Sequence, residues 1–208
     1  MIAIVDYDMG NVGSVRNMLE RVGAKVAVSR SPQVLRAADK LVLPGVGAFD
    51  EAIDNLQRFE LTGLLDELVR LRAKPILGVC LGAQLMTRSS EEGMQPGFGW
   101  LDARIVRFHP EGGRSLRIPH MGWNVVVPTR PGIGIFEGVA APMRFYFVHS
   151  YHMVTASPEI ALGVTEYGYE FTSVLGARNV LATQFHPEKS HRYGLQIFRN
   201  FVERFVSC

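Results

Sequence analysis

The sequence has little cysteine, no long apolar run, no block of like charge and no internal repeat, and each absence removes a class of protein. Its 208 residues hold only two cysteines, Cys80 and Cys208, far apart in the chain. Two thiols make one bridge at most, and a chain of this length buries enough surface to fold without it. A disulfide scaffold is therefore excluded, and the expected setting is a reducing cytoplasm, where a lone thiol stays free. No apolar run approaches the ~18–20 residues that a membrane span needs. Residues 1–6 lack the basic and long apolar regions of a signal peptide and read as a strand. The net charge is +2 and the basic residues are dispersed, which leaves no electrostatic case for nucleic acid or an anionic membrane surface. Apolar residues make up 47% of the chain and charged residues 20%, as in an ordinary globular protein. One domain spanning residues 1–208 is the expectation.

What is present is an alternation. Residues 2–5, 25–28, 40–43 and 75–79 are short apolar runs that read as strands, and helical patterns separate them. Val12, Val15, Leu19 and Val22 recur at helical spacing, and residues 48–72 read as helix with a break near 61–63. Strand, helix, strand in this order implies right-handed crossovers and a mostly parallel central sheet flanked by helices. Beyond residue 95, glycine, proline and short β-branched or aromatic runs dominate. Segments 103–108, 125–127, 145–148, 160–165, 170–174 and 180–185 read as antiparallel hairpins. Residues 191–206 return to helix, with Leu195, Phe198, Phe201, Val202 and Phe205 on one face. The fold class is α/β with a β-rich second half.

Two segments carry chemistry. The strand at 75–79 runs into Gly78-Val79-Cys80-Leu81-Gly82 and then a helix, which is the strand–nucleophile–helix turn with Cys for Ser. Glycine two residues either side of the nucleophile lets strand and helix backbones pass closely. The helix N-terminus favours thiolate, and its free N–H groups can hold an oxyanion. A lone cysteine is more often a buried structural residue; this setting reverses the preference. The second segment is Gln184-Phe185-His186-Pro187-Glu188-Lys189. A thiolate needs an imidazole partner, and the imidazole an orienting acceptor, roles that His186 and Glu188 fit. Pro187 biases His186 toward extended backbone, in which residues two apart project to one side.

Together these segments resemble the class I, triad-type glutamine amidotransferases. Among them, the chain looks most like the glutaminase subunits of histidine biosynthesis. The resemblance is carried by residues 4–7, 9–11 and 14–15, by Leu43-Pro44-Gly45-Val46-Gly47-Ala48-Phe49, by 78–84 and 89–93, by Pro119-His120-Met121-Gly122-Trp123-Asn124, and by 146–151 and 184–190. It departs from the family's usual pattern at Asp8, Val12-Gly13, Ala83, Thr87-Arg88 and Gly99-Trp100-Leu101.

The resemblance implies a flavodoxin-like fold and a reaction in which Cys80 attacks the side-chain amide of L-glutamine. It gives Leu81, Val46 and Gly47 to the oxyanion hole, and Gly45, Gln84, His149, Ser150 and Tyr151 to the glutamine pocket. Met121, Trp123, Asn124 and Lys189 would face a partner, a cyclase subunit with a (β/α)8 barrel that receives the ammonia as one half of a heterodimer. Glycines around Val46 would permit a peptide flip, so full activity would await that partner. No cofactor is implied. The His149-x-x-His152 pair invites a zinc reading, which is rejected because a strand sends the two rings to opposite faces. His109 and His191 read as surface residues, and Glu91-Glu92 as a solvated helix end. The alternatives are a glutaminase subunit of another pathway, or a non-catalytic subunit of the same fold.

Overall fold

A computed structural model of the chain describes residues 1–109 and 116–205; Cys208 and the last residue of the expected C-terminal helix lie outside the described residues. The first half builds strands β1 (Ile2–Val5), β2 (Val26–Ser29), β3 (Lys40–Leu43) and β4 (Ile76–Val79). Helices α1 (Val12–Arg21), α2 (Pro32–Ala37), α3 (Phe49–Arg58), α4 (Leu61–Asp66) and α5 (Leu81–Leu85) alternate with them. The second half adds β5 (Arg104–Arg107), β6 (His120–Val125), β7 (Val127–Pro128), β8 (Arg144–His149), β9 (Tyr151–Val154), β10 (Ala161–Tyr167), β11 (Tyr169–Ala177) and β12 (Val180–Thr183). Helix α6 (His191–Glu203) follows.

The main sheet runs β2-β1-β3-β4-β12-β11-β10-β7, parallel from β2 through β12 and antiparallel beyond. A strand buried on both faces must be apolar at every position, and β1, β4 and β12 are buried throughout. Their pleat divides the core. Ala3, Val5, Leu41 and Leu43 pack on one side with α2, α3 and α4, while Ile2, Ile4, Val42 and Leu77 pack on the other with α1 and α6.

Two expectations are corrected. The run at 180–185 is not simply a hairpin arm: β12 is antiparallel to β11 but parallel to β4, register Val79↔Thr183. The break in 48–72 falls at Phe59-Glu60, not 61–63. Glu60 takes a left-handed φ of 55° there, while Gly63 lies inside α4. Strands β6 and β8 leave the main sheet altogether and pair with each other as a two-stranded antiparallel ribbon.

Parallel register is what makes a site possible. With Leu43 beside Gly78 and Val79 beside Thr183, the chain leaves β3, β4 and β12 at one edge. The segments that follow, 44–47, 80–82 and 184–188, are therefore neighbours although up to about 140 residues apart, at the carboxyl ends where α/β sheets place their sites.

Candidate active site

Cys80 caps the N-terminus of α5 with φ 53° and ψ −110°, a left-handed backbone that L residues rarely adopt. Its N–H donates to the Thr183 carbonyl at 2.8 Å, which anchors the turn to β12. The neighbouring glycines are required by contact. A Cβ on Gly82 would overlap the Leu43 carbonyl oxygen, and one on Gly78 would lie 2.7 Å from Ala83 Cα. Gly45 belongs to the same knot: its Cβ would sit 2.6 Å from the Gly82 nitrogen and 2.7 Å from the Tyr7 hydroxyl.

His186 Nδ1 lies 2.8 Å from Glu188 Oε1, and both side chains are 1% exposed. His186 is extended, as Pro187 implies, but Glu188 reaches the ring from a 3-10 turn over Pro187–Lys189. Ser190 fixes that turn, its hydroxyl donating to the His186 carbonyl at 2.6 Å and accepting the Tyr146 N–H at 2.9 Å. Gly194 lets α6 come down on Pro187, whose carbonyl any Cβ there would strike. His186 Nε2 and Glu188 Oε2 have no hydrogen bond among the described residues. Burial pushes the His186 imidazole down, but the Cys80 thiolate and Glu188 outweigh it and hold the ring at about 10. Negative charge at Cys80 and Glu188 therefore favours the imidazolium form of His186.

Cys80 and His186 share a cleft of about 310 Å³ whose lining includes Val46, Gly47, Leu81, Gln84, His149, Ser150 and Tyr151. No described residue accepts a hydrogen bond from the N–H of Val46, Gly47 or Leu81. Gly47 has φ 108°, and Val46 is exposed. Gln84 is buried one turn after Cys80, its Nε2 donating to the Tyr151 carbonyl at 3.3 Å and to Gln184 Oε1 at 3.2 Å.

Several residues at the site carried no assigned role in the sequence. Gln184 Nε2 stands 3.9 Å from Cys80 Sγ. Tyr7 donates its hydroxyl to the Pro44 carbonyl at 2.6 Å, and burial pushes its phenol far up, so it remains a neutral clamp on the 44–47 segment. Glu92 lines the cleft and accepts the Phe49 N–H at 3.1 Å, with burial raising its carboxyl. Glu91-Glu92 is exposed, as expected, but lies in a turn and not at a helix end. The signal that could have found Glu92 is its place in a polar turn opposite the first turn of α3.

Met121, Trp123 and Val125 alternate outward on β6 and are exposed, Trp123 at 39%. Trp123 stacks on His191 with ring centroids 5.4 Å apart, and Lys189 Nζ lies 5.8 Å from the Tyr146 ring centroid. Asn124 points the other way: its amide hydrogens go to His120 Nε2 and the Glu166 carbonyl. His149 Nδ1 contacts the Tyr151 carbonyl and His152 Nε2 the Tyr169 hydroxyl, at 2.8 and 2.9 Å. Among the described residues no group of three or more His, Cys, Asp or Glu could hold a metal ion, and no helix is long and apolar enough to cross a membrane.

A cysteine on a strained strand-to-helix turn, an imidazole–carboxylate pair on the next parallel strand and a half-open cleft define a thiol-dependent hydrolase or transferase site. Residues 3–205 match the family Glutamine amidotransferase class-I, and the chain belongs to that family. Relatives within it narrow the comparison. The chain is 48% identical over 203 residues to "Imidazole glycerol phosphate synthase subunit HisH 2" of Pseudomonas aeruginosa, covering 98% of this chain and 99% of that protein. It is 42% identical to the protein of the same name from Methanococcus maripaludis, over 98% and 100% of the two chains. Among solved structures, PurLQS from Thermotoga maritima superposes with a TM-score of 0.71 at 17% identity, covering 97% of this chain and 96% of that one. The glutaminase domain of Trypanosoma brucei CTPS superposes with 0.61 at 17%, covering 97% and 93%. At that identity the likeness is one of fold.

Proposed function

We propose that this chain is the glutaminase subunit of an imidazole glycerol phosphate synthase, and that it hydrolyses L-glutamine to glutamate and ammonia through a thioester on Cys80. The observation that carries the chemistry is the 2.8 Å His186–Glu188 pair buried beside the strained Cys80 turn. The pathway rests on the full-length likeness to the relatives of that name.

The thiolate of Cys80 attacks the carboxamide carbon. The oxyanion forms beside the Leu81 N–H and the N–H groups of Val46 or Gly47, each such donor contributing about 3–4 kcal/mol in comparable sites. The imidazolium of His186 gives its proton to the departing ammonia. Once the sulfur is acylated its negative charge is gone, and so is the first upward influence on His186. The same ring then falls toward the range of a base, deprotonates water, and releases glutamate while the thiol is restored. Glu188 holds the tautomer throughout. Gln84, Gly45, His149 and the main chain of Ser150 and Tyr151 shape the glutamine pocket, and the carboxylate of Glu92 suits the ammonium of the substrate.

Ammonia passes to a cyclase subunit, a (β/α)8 barrel, which makes imidazole glycerol phosphate and aminoimidazole carboxamide ribotide. Met121 and Trp123, with Lys189 beside them, form the docking face, and Asn124 backs it from the inward side of β6. The working compartment is the reducing cytoplasm, where the thiolate persists. The test is ammonia release by wild type and Cys80→Ala, each with and without the cyclase. Wild type is expected to be weak alone and strongly stimulated by the partner, with Cys80→Ala lower by about 10⁴-fold or more. No ammonia from wild type in either condition defeats the proposal.

A further inference from the structure

A buried polar chain runs from the β6–β8 ribbon into the glutamine pocket, and His120 stands in it. His120 and His149 are cross-strand partners in the β6–β8 ribbon, on its inward face, and are 3% and 6% exposed. His120 Nδ1 lies 2.9 Å from His149 Nε2. On one side Asn124 Nδ2 is 3.2 Å from His120 Nε2; on the other, His149 Nδ1 is 2.8 Å from the Tyr151 carbonyl.

The direction of every bond follows from the two ends. A carbonyl only accepts, so His149 Nδ1 carries a proton and donates to Tyr151. Burial holds both rings neutral, pushing His149 down to about 3 and His120 to about 4. A neutral His149 protonated on Nδ1 has a bare Nε2, so His120 Nδ1 must donate to it. His120 Nε2 is then bare and must accept from Asn124. The Asn124 amide is fixed independently. Its nitrogen also donates to the Glu166 carbonyl at 2.8 Å, and its oxygen accepts the Val125 N–H at 2.7 Å. No member of the chain can reverse without leaving a buried group unpaired.

The chain does not stop at Tyr151. That carbonyl also accepts from Gln84 Nε2, which donates as well to Gln184 Oε1, and Gln184 Nε2 stands at Cys80 Sγ. We propose that His120 is a positioning residue: through His149 it fixes the Tyr151 carbonyl and Gln84, and so ties the exposed β6–β8 ribbon to the glutamine pocket. This rests on the glutaminase reading. It adds that the inward row of β6, His120 and Asn124, reports what happens to the outward row, Met121, Trp123 and Val125, because one strand carries both.

His120 also has a packing role, and the test separates the two. Its ring lies between Phe147 and Tyr167, with centroids 4.8 and 4.0 Å away and both interplanar angles at 27°. His120→Phe keeps the stack and removes the donor; His120→Asn keeps a donor near the Nδ1 position and removes the stack. Glutaminase kinetics are measured in the complex with the cyclase, and the His149 tautomer is read by imidazole 15N NMR. His120→Phe is expected to raise KM for glutamine about five- to tenfold with kcat changed less than about twofold, the mark of lost ground-state and transition-state positioning alike. It should also place part of the His149 proton on Nε2. His120→Asn should restore KM to within about twofold of wild type. The opposite pattern, Phe neutral and Asn impaired, assigns His120 to packing and overturns the proposal. So does a wild-type His149 protonated on Nε2. If His120→Phe fails to fold, His120→Leu, which also lacks a donor, takes its place. A wild-type complex that releases no ammonia defeats the glutaminase reading instead, while the tautomer still decides the direction of the chain.

Discussion

The edge where β3, β4 and β12 end and the ribbon of β6 and β8 are built on opposite terms. At the edge, Gly45, Gly78 and Gly82 close every backbone approach to the point where a single carbon would collide. Cys80, Gln84, Gln184 and His186 are all buried there. On the ribbon, alternate residues of β6 turn apolar side chains to the surface, Met121 at 62% exposed. The first region holds a reactive geometry that nothing but the surrounding fold could maintain. The second keeps apolar surface uncovered, which a folded chain tolerates where another surface is meant to cover it. The reactive groups lie buried at the sheet edge, and the exposed apolar row lies outside it on the ribbon.

The largest effect expected from breaking this contrast is at Gly82. Alanine there meets the Leu43 carbonyl, a backbone atom held in the parallel sheet, so it cannot be accommodated by a side-chain rotation. Gly82→Ala should destabilise the fold by about 4 kcal/mol or more, read as a large drop in denaturant midpoint. Stability unchanged within error would mean that the strand-to-helix turn is far looser than its contacts indicate.

Next in size is the titration of His186. Its charged form is supported by the Cys80 thiolate ahead of Glu188, against burial. Removing the thiolate in Cys80→Ser should bring the ring down from about 10, followed by NMR of the imidazole. The sign carries into stability. Because the folded value lies above the ordinary 6.5, the imidazolium contributes its full stabilisation below pH 6.5 and loses it as pH rises toward 10. In Cys80→Ser that loss should occur at lower pH, so the two proteins' stabilities diverge between those limits. Coincident stability curves would show that thiolate and imidazolium do not sense each other.

How much of this was readable in the sequence depended on whether the deciding contact was local. The strands at Ile2–Val5 and Lys40–Leu43 keep their expected limits because a short apolar run ended by a polar or Pro-Gly turn marks each of them. The Cys80 turn was legible because its glycines lie two residues away. The pairing of β12 with β4 was not: it joins residues about a hundred positions apart, and Val180–Thr183 reads alike as a hairpin arm or a buried parallel strand. Glu60 shows the limit for helices, since a left-handed glutamate ends α3 with no glycine to announce it. Asp8, a departure from the family's glycine, also has a left-handed φ, 64°. Aspartate is among the few residues that tolerate it, and Arg30 and Arg58 bind its carboxylate. Trp100, another departure, stacks on Phe98 and donates its indole N–H to Asp66 at 2.8 Å. In the 119–124 stretch Met121 and Trp123 were expected to face a partner and are exposed, Asn124 was expected with them and turns inward, and the inward chain through His120 needed the register His120↔His149.

The smallest expected change in the chain itself, and the sharpest for the contrast, is at Trp123. Its ring lies on the imidazole of His191 and edge-on to Tyr146, contacts at the surface rather than in the core. An exposed stack of this kind contributes little, so Trp123→Ala should leave the unfolding free energy within about 0.5 kcal/mol of wild type. Its cost should fall on association: a large aromatic at the centre of a docking face typically carries about 2 kcal/mol or more of binding. Titration of the variant against the cyclase should therefore show affinity lower by about 30-fold, with the folded chain otherwise intact. Equal losses in both measurements would make Trp123 part of the chain's own packing. The ribbon would then be built on the same terms as the sheet edge, and its exposed row would no longer mark a docking face.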